Sequence, residues 1–258
     1  MENNIIGQDN LIKLLDKFTL DTCPRTILLE GSKGSGRHLI SKYIANTLNI
    51  DVVDISKELT LEVITNAILS VEPCLYVIDT AGISVKNQNV ILKFLEEPTK
   101  NCIIVLITEN KSMLLDTVIN RCYVLTLQPY SKEMLSHFTN NEDVLAYATT
   151  PGEVVDLESA QFDEYKRISN LIITSIHKAS LSNTLSLSEK IKDNNMDLKL
   201  FLKVYLKTIV DFVKINPSEK YIKLYSLTNE LIKKLAYSAN QTRLFDKYLI
   251  ELYELMSR

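Results

Sequence analysis

Two patterns of apolar residues divide the chain. In about the first 130 residues, short uninterrupted apolar runs alternate with stretches in which apolar residues recur every three or four positions. Uninterrupted runs are typical of strands buried on both faces, so this part predicts an α/β fold, a parallel sheet with helices on both faces. The predicted strands are 26–30, 51–55, 74–79, 102–108 and 123–127, and the predicted helices are 8–18, 37–48, 61–71, 84–97 and 112–119.

After Pro129 only the helical period remains. Short helices are predicted over 131–138, over 142–148 and from Pro151 onward, and long ones over 162–180, 184–193, 197–214, 218–237 and 241–256. No glycine follows Gly152, which suits a bundle of helices. The chain therefore divides into a sheet-containing front part and an all-helical back part.

Composition adds limits rather than a function. The net charge of −3 gives no overall bias toward nucleic acid, and 46% hydrophobic residues over 258 positions provide a sizeable core. The four cysteines have no metal-binding spacing and are expected to be buried free thiols. No run approaches the roughly 18 apolar residues of a membrane helix, and the start lacks a basic targeting segment. We expect a cytoplasmic protein with no membrane partner.

A glycine-rich segment, residues 31–38, directly follows the first predicted strand and reads G-S-K-G-S-G-R-H. It has the frame of a phosphate-binding loop, G-x-x-x-x-G-K-[ST], in which the loop amides and a helix N-terminus face a phosphate. Its glycines are Gly31, Gly34 and Gly36. Arg37 replaces the lysine and His38 replaces the hydroxyl that binds Mg²⁺. We expect weak or absent binding of ATP and Mg²⁺; the alternative is a turn kept for folding alone.

A carboxylate ends the third predicted strand. Asp79 stands where such folds hold magnesium, although capping of the next turn is a fair alternative. Hydrolysis also needs a neighbouring carboxylate that orients water, and Thr80 in that place cannot act as a base. Together with Arg37 and His38, Thr80 predicts a chain without intrinsic ATPase activity.

An arginine precedes the last predicted strand, in the segment 120–122, which reads N-R-C. Arg121 is a candidate arginine finger, a group that stabilises transition-state charge on a phosphate held by a neighbouring subunit. A solvated surface arginine is the alternative interpretation. Glu96 and Glu97 are a less convincing catalytic pair, because adjacent helical residues point about 100° apart; we expect a structural role at the helix end, which Pro98 stops.

These motifs, taken in order, resemble those of the AAA+ subunits of DNA polymerase clamp loaders. They are I-I-G-Q at 5–8, the phosphate loop, Asp79, the segment L-K-F-L-E-E-P at 92–98 and N-R-C at 120–122. The segment at 92–98 is the most specific, and the family usually has Ser-Arg-Cys at the last. Among these subunits the chain is most similar to the delta-prime type of bacterial DNA polymerase III. The motifs cover residues 1–157, and the helical remainder is similar only in class.

The resemblance implies three parts: a RecA-like domain (1–128), a small helical lid (129–158) and a helical collar (159–258) that assembles a ring. It implies that Arg121 is a finger acting in trans and that Thr108 occupies the sensor-1 position. Gly152 stands where active subunits have the sensor-2 arginine, which delta-prime-like subunits also lack. Many relatives carry a zinc module after the phosphate-loop helix. Here Leu48 leads almost directly into the next strand, so no zinc is expected.

The function that the resemblance implies is a non-hydrolysing subunit that supports loading of the sliding clamp onto primed DNA. Its expected partners are tau- or gamma-like motor subunits and a delta-like subunit, with the clamp and the DNA contacted through the complex. Two alternatives remain at this point: a slow, self-contained AAA+ ATPase, and an interaction module of another AAA+ assembly.

Overall fold

All five predicted strands lie in one sheet. The computed structural model describes residues 5–81, 83–96, 99–158, 162–175, 180–193, 197–235 and 240–257. The strands are β1 (Thr26–Glu30), β2 (Asp51–Asp54), β3 (Cys74–Asp79), β4 (Cys102–Thr108) and β5 (Tyr123–Thr126). Every neighbouring pair is parallel, and the order across the sheet is β2-β3-β4-β1-β5. The predicted parallel sheet is therefore confirmed, with β2 and β5 each ending one residue early.

Helices cover both faces of this sheet, as predicted. They are α1 (Asp9–Leu15), α2 (Arg37–Leu48), α3 (Leu61–Ile68), α4 (Val85–Glu96) and α5 (Asp116–Ile119). Alternate residues of β1 serve opposite cores: Ile27 and Leu29 pack in the cluster that includes α1 and α2, whereas Leu28 packs with residues of α3, α4 and α5. Because β1, β3 and β4 are buried on both faces, these strands carry no polar alternation, whereas β2 is exposed along its length.

The prediction of one helix over 112–119 was wrong. A 3-10 turn (Lys111–Met113) and α5 replace it. Leu114 and Leu115, which lie between them, have extended backbone and interrupt the helix. The Asn110 carboxamide caps the 3-10 turn by accepting from Ser112 N at 2.9 Å, and the Gln88 carboxamide accepts from Leu115 N at 2.8 Å.

Other helix ends also differ from the predictions. α1 ends three residues before the predicted Phe18, and α3 ends at Ile68 rather than at 71. The predicted N-cap of α4 is confirmed, since the Ser84 hydroxyl accepts from Asn87 N. Its predicted end, Glu97 with Pro98, lies outside the described residues.

The remaining helices are α6 (Lys132–Leu135), α7 (Glu142–Tyr147), α8 (Pro151–Glu158), α9 (Phe162–Ser175), α10 (Leu181–Asp193), α11 (Leu198–Ile215), α12 (Glu219–Leu235) and α13 (Gln241–Ser257). The predicted all-helical back part is confirmed. Its core contains an aromatic group centred on fully buried Phe201, whose ring stacks on Tyr205 and meets Tyr165 and Phe245 edge-on. The predicted ends at 176–179 and 236–237 lie outside the described residues.

The chain forms two compact units. One comprises the chain up to Asn140 together with Thr149–Val154, and the other comprises Asn141–Ala148 and the chain from Val155 onward. The start of α8 thus belongs to the unit that contains the sheet. The division into a lid at 129–158 and a collar at 159–258 stays a prediction.

No helix within the described residues has both the length and the apolar character to cross a bilayer.

Candidate functional site

The glycine-rich loop joins the end of β1 to the start of α2, at the carboxyl edge of the sheet. Gly34 and Gly36 have φ angles of +78° and +92°, a region that side chains other than glycine rarely adopt. A Cβ on Gly31 would lie 2.8 Å from Ser35 Oγ. The Gly31 amide donates to the Thr108 carbonyl at 3.1 Å, which ties the loop to the end of β4. The backbone therefore favours glycine at Gly34 and Gly36, whereas at Gly31 the constraint comes from the neighbouring Ser35 side chain.

Three consecutive loop carbonyls, those of residues 33–35, are held by groups from later in the chain. The donors, in order, are the Thr150 hydroxyl at 3.0 Å, the Gly152 amide at 2.9 Å and the Tyr130 hydroxyl at 3.0 Å. Sequence reasoning missed all three bonds. The only local signal was a threonine before Pro-Gly, and its hydroxyl also accepts from the amide of Glu153 at the start of α8. The protein's own groups therefore fix the loop from its carbonyl side.

Gly152 touches the loop through its backbone. A Cβ on Gly152 would lie 2.6 Å from Gly34 Cα, and a Cβ on Gly34 would lie 3.0 Å from Gly152 Cα. Neither position has room for a side chain. Since Gly152 stands at the predicted sensor-2 position, an arginine there would require the start of α8 to move away from the loop.

The buried donors of the loop fit an anion. Arg37 is only 9% exposed, and its Nη2 lies 3.9 Å from the Glu109 carboxylate, a long contact for an ion pair. Among the described residues, Arg37 Nη1 and Ser35 Oγ are buried without a hydrogen-bond partner. Buried donors of this kind are normally satisfied, and a phosphate oxygen has the chemistry to satisfy them.

The same loop does not fit magnesium. His38 Nε2 lies 3.8 Å from Asp79 Oδ2, and Asp79 Oδ1 accepts from Ala81 N at 2.9 Å. Asp79 therefore caps the turn that follows β3, the alternative that the sequence had left open. Across the described ranges, no group of three or more His, Cys, Asp and Glu side chains is arranged to hold a metal ion. We therefore derive no metal-dependent step at this loop.

A second acidic residue, which the sequence analysis did not single out, lies beside Asp79. Ser56 links the ends of β2 and β3, because its Oγ accepts from Asp79 N and donates to Asp54. Burial raises the pKa of Asp54, but the hydrogen bonds from Ser56 and the charges of His38 and Lys57 outweigh it and hold that pKa below its ordinary value. Asp54 therefore remains ionised near neutral pH.

Two threonines near the loop use their hydroxyls internally. Buried Thr80 donates both its hydroxyl and its amide to the Ile107 carbonyl, each at 2.9 Å, and so joins β3 to β4. The Thr108 hydroxyl donates to the Asn110 carbonyl at 3.0 Å and accepts from the Asn110 amide at 3.2 Å. Thr80 thus has a structural role, and a sensor-1 role for Thr108 stays a prediction.

Arg121 lies at the amino-terminal end of β1, whereas the loop lies at its carboxyl end. The Arg121 carbonyl accepts from the hydroxyl of Thr26, the first residue of β1, whereas the loop follows the last residue of β1. A strand of five residues separates them by roughly 15 Å. The structure therefore does not bring Arg121 together with the other predicted site residues.

Two acceptors hold the Arg121 guanidinium. Its Nη2 lies 2.8 Å from Glu96 Oε1, and its Nη1 donates to the Thr117 carbonyl at 2.8 Å. The Arg121 side chain remains 38% exposed. Neither partner was predictable from local sequence patterns, although Glu96 belongs to the specific segment at 92–98.

Known proteins match this chain in sequence and in fold. The family described as DNA polymerase III, delta subunit, matches residues 48–131. The DNA polymerase III subunit delta' of Bacillus subtilis (strain 168) is 44% identical over 71 residues, which is 27% of this chain and 22% of that relative. The matched stretch thus spans about a fifth of the curated relative. The family match at 48–131 includes β3, Glu96 and Arg121 and does not include the glycine-rich loop at 31–38.

Solved structures extend the similarity in fold. A DNA polymerase III, gamma subunit-related protein from Thermotoga maritima superposes with a TM-score of 0.55 at 14% identity, covering 96% of this chain and 99% of that one. A katanin structure superposes with a TM-score of 0.52 at 16% identity, covering 64% and 71%. At these identities the likeness concerns the fold alone. The chain has the AAA+ fold, and its predicted resemblance to the delta-prime type of bacterial DNA polymerase III subunit is confirmed over the matched stretch.

Proposed function

We propose that the chain is a non-hydrolysing, delta-prime-like subunit of a DNA polymerase III clamp loader. In the cytoplasm it would assemble with tau- or gamma-like motor subunits and a delta-like subunit. The complex would load the sliding clamp onto primed DNA during replication. Within it, Arg121 would act as an arginine finger on ATP bound by an adjacent motor subunit.

The position of Arg121 carries this proposal. Because roughly 15 Å of strand separates it from the chain's own loop, its guanidinium cannot serve a phosphate bound there. It is nevertheless partly exposed and held in one direction by two hydrogen bonds. A held, accessible guanidinium at an outer edge is suited to a phosphate on another subunit.

The chain's own loop supports the non-hydrolysing part. The Thr80 hydroxyl cannot act as a general base, and His38 Nε2 lies 3.8 Å from Asp79 Oδ2. Gly152 brings no cationic side chain to the loop that it contacts. Hydrolysis needs a metal ion and an oriented water, and these residues provide for neither.

Reconstitution tests the finger. The full chain, or its Arg121→Ala variant, is assembled with the motor subunits, the delta-like subunit and the clamp of the same organism, and DNA-stimulated ATP hydrolysis is measured. We expect the rate at the adjacent site to fall by on the order of 10³-fold. Arg167→Ala is the matched control, since Arg167 also forms an exposed ion pair with a glutamate, Glu164. Unchanged turnover in an assembled Arg121→Ala complex would refute the finger role.

One observation favours a second candidate, a slow intrinsic ATPase. The unpartnered Arg37 Nη1 and Ser35 Oγ favour an anion at the loop. Titration of the purified chain with ATP, beside an Arg37→Ala variant, tests binding, and phosphate release tests hydrolysis. Micromolar binding with turnover that Asp79→Asn abolishes would replace our proposal. Failure to associate with any motor subunit in a pull-down would instead favour an interaction module of another AAA+ assembly.

A further inference from the structure

The contact between Glu96 and Arg121 joins two segments that the sequence analysis treated separately. Glu96 is the last residue of α4, and Arg121 follows α5 by two positions. Their charged groups approach to 2.8 Å. We propose that Glu96 is the positioning residue of the arginine finger, holding the guanidinium in its working direction before a neighbouring phosphate arrives. This inference rests on the proposed function.

Glu96 occupies a position in α4 that is unfavourable for a carboxylate unless the carboxylate has a partner. The last turn of a helix carries partial negative charge from its free carbonyls, so a carboxylate there is unfavourable on its own. Lys93 lies one turn earlier in the same helix, yet the ion pair that Glu96 forms is with Arg121. The ion pair with Arg121 offsets this unfavourable position.

The geometry leaves the finger able to act. A guanidinium has five N–H donors, and the contacts with Glu96 and Thr117 use one donor on each terminal nitrogen. The other three donors remain for phosphate oxygens. Two fixed acceptors on different elements restrict rotation about the long side chain, so less freedom is lost when the phosphate binds.

The exposure of the pair keeps the contact reversible. Arg121 is 38% exposed and Glu96 is 49% exposed, so water and salt screen their attraction. A phosphate with more than one negative charge can therefore draw the guanidinium forward without an unfavourable buried carboxylate being left behind. Glu96 acts in this scheme as an acceptor with a fixed position, and its charge is secondary.

Two variants separate position from charge. Glu96→Ala removes the acceptor, whereas Glu96→Gln keeps a carbonyl oxygen at the same place without the charge. In the reconstituted clamp loader we expect about a tenfold lower kcat for Glu96→Ala, with KM for ATP unchanged, and a rate within about twofold of wild type for Glu96→Gln. Asp143→Ala is the matched control: it breaks another exposed ion pair, at 2.9 Å with Lys166, in the other unit.

A second measurement needs no partner. In the full chain labelled with ¹⁵N-arginine, slow rotation of the Arg121 guanidinium should give resolved Nη signals that persist in Glu96→Gln and vanish in Glu96→Ala. Identical Arg121 signals in wild type and Glu96→Ala would overturn the inference. So would normal turnover in Glu96→Ala when Arg121→Ala loses activity. Unchanged turnover in Arg121→Ala would overturn the proposed function itself, and the two failures are therefore distinguishable.

Discussion

Replacing Gly152 by alanine should destabilise the sheet-containing unit, although the same change normally stabilises a helix. In an unconstrained helical position, Gly→Ala gains roughly 0.5–1 kcal/mol, because alanine loses less backbone entropy on folding. Gly152 lies in α8 and has a helical backbone, so this gain applies here too. The structure predicts that a larger steric cost reverses the sign.

The steric cost follows from one contact. The new Cβ would lie 2.6 Å from Gly34 Cα and 3.1 Å from the Gly34 carbonyl oxygen, and both are backbone atoms that cannot rotate away. Added atoms in a filled site cost about 1–3 kcal/mol, because the backbone must shift. The shift would also lengthen the hydrogen bond from Gly152 N to Gly34 O, now 2.9 Å. We expect a net loss of about 1–2 kcal/mol in the free energy of unfolding.

Amide hydrogen exchange measures this loss within the compact unit that contains the sheet. The amides of β4 (Cys102–Thr108) are fully buried and report global opening of the sheet. Val155→Ala, at a 67% exposed position of the same helix, is the control and should change the opening free energy by less than about 0.5 kcal/mol. If Gly152→Ala protected β4 as well as or better than wild type, the proposed glycine-to-glycine contact would be refuted.

Two further predictions concern ionisable side chains. Burial raises the pKa of Glu30, but hydrogen bonds from the Lys111 amide and the Thr126 hydroxyl and the charge of Lys111 outweigh it, so the pKa lies below its ordinary value of 4.5. The unfolded chain therefore binds a proton more readily, and stability is lost as pH falls from about 4.5 through the folded pKa. In urea titrations between pH 6 and 3, Glu30→Gln should therefore lose less stability than wild type. Equal pH dependence of the two proteins would contradict this. Burial also raises the pKa of Cys102 and of Cys122 to about 12. Both thiols should therefore react with iodoacetamide at pH 8 far more slowly in the native chain than in urea, as measured by mass spectrometry. Equal reaction rates in the two conditions would contradict this prediction.

Much of the fold follows from local patterns. Buried parallel strands need apolar side chains on both faces, so the run at 102–108 marks β4 to the residue. Helix α2 likewise begins and ends as predicted, because glycine precedes it and Asn49 adopts the left-handed conformation that ends it. The helix predicted over 112–119 is interrupted because Leu114 and Leu115 have extended backbone and the Leu115 amide donates to Gln88 from another helix, which no periodicity within the segment reveals.

The candidate site was only partly predictable for the same reason. The loop and Arg121 carry recognisable residue types at recognisable spacings, so the sequence identifies them. The bond from Thr150 to the Lys33 carbonyl connects positions 117 apart, and the pair of Glu96 with Arg121 depends on where two helices end. Such contacts are set by packing of the sheet and leave no mark in composition or periodicity.

The central place of β1 has a consequence for synthesis of the chain on the ribosome. β1 pairs with β4 on one side and with β5 on the other. Thr26 can therefore pair only after Ile104 has been synthesised, and Ile27 can pair with β5 only after Tyr123 has been synthesised. The unit is complete only when Thr149–Val154 has also emerged. Until β4 and β5 have emerged, the apolar centre of β1, Ile27–Leu29, has no strand partner, and long-range pairing of this kind is slow and exposed to aggregation. The nascent chain should therefore depend on chaperones until about residue 154, and a ribosome stalled before that point should present a protease-sensitive front unit.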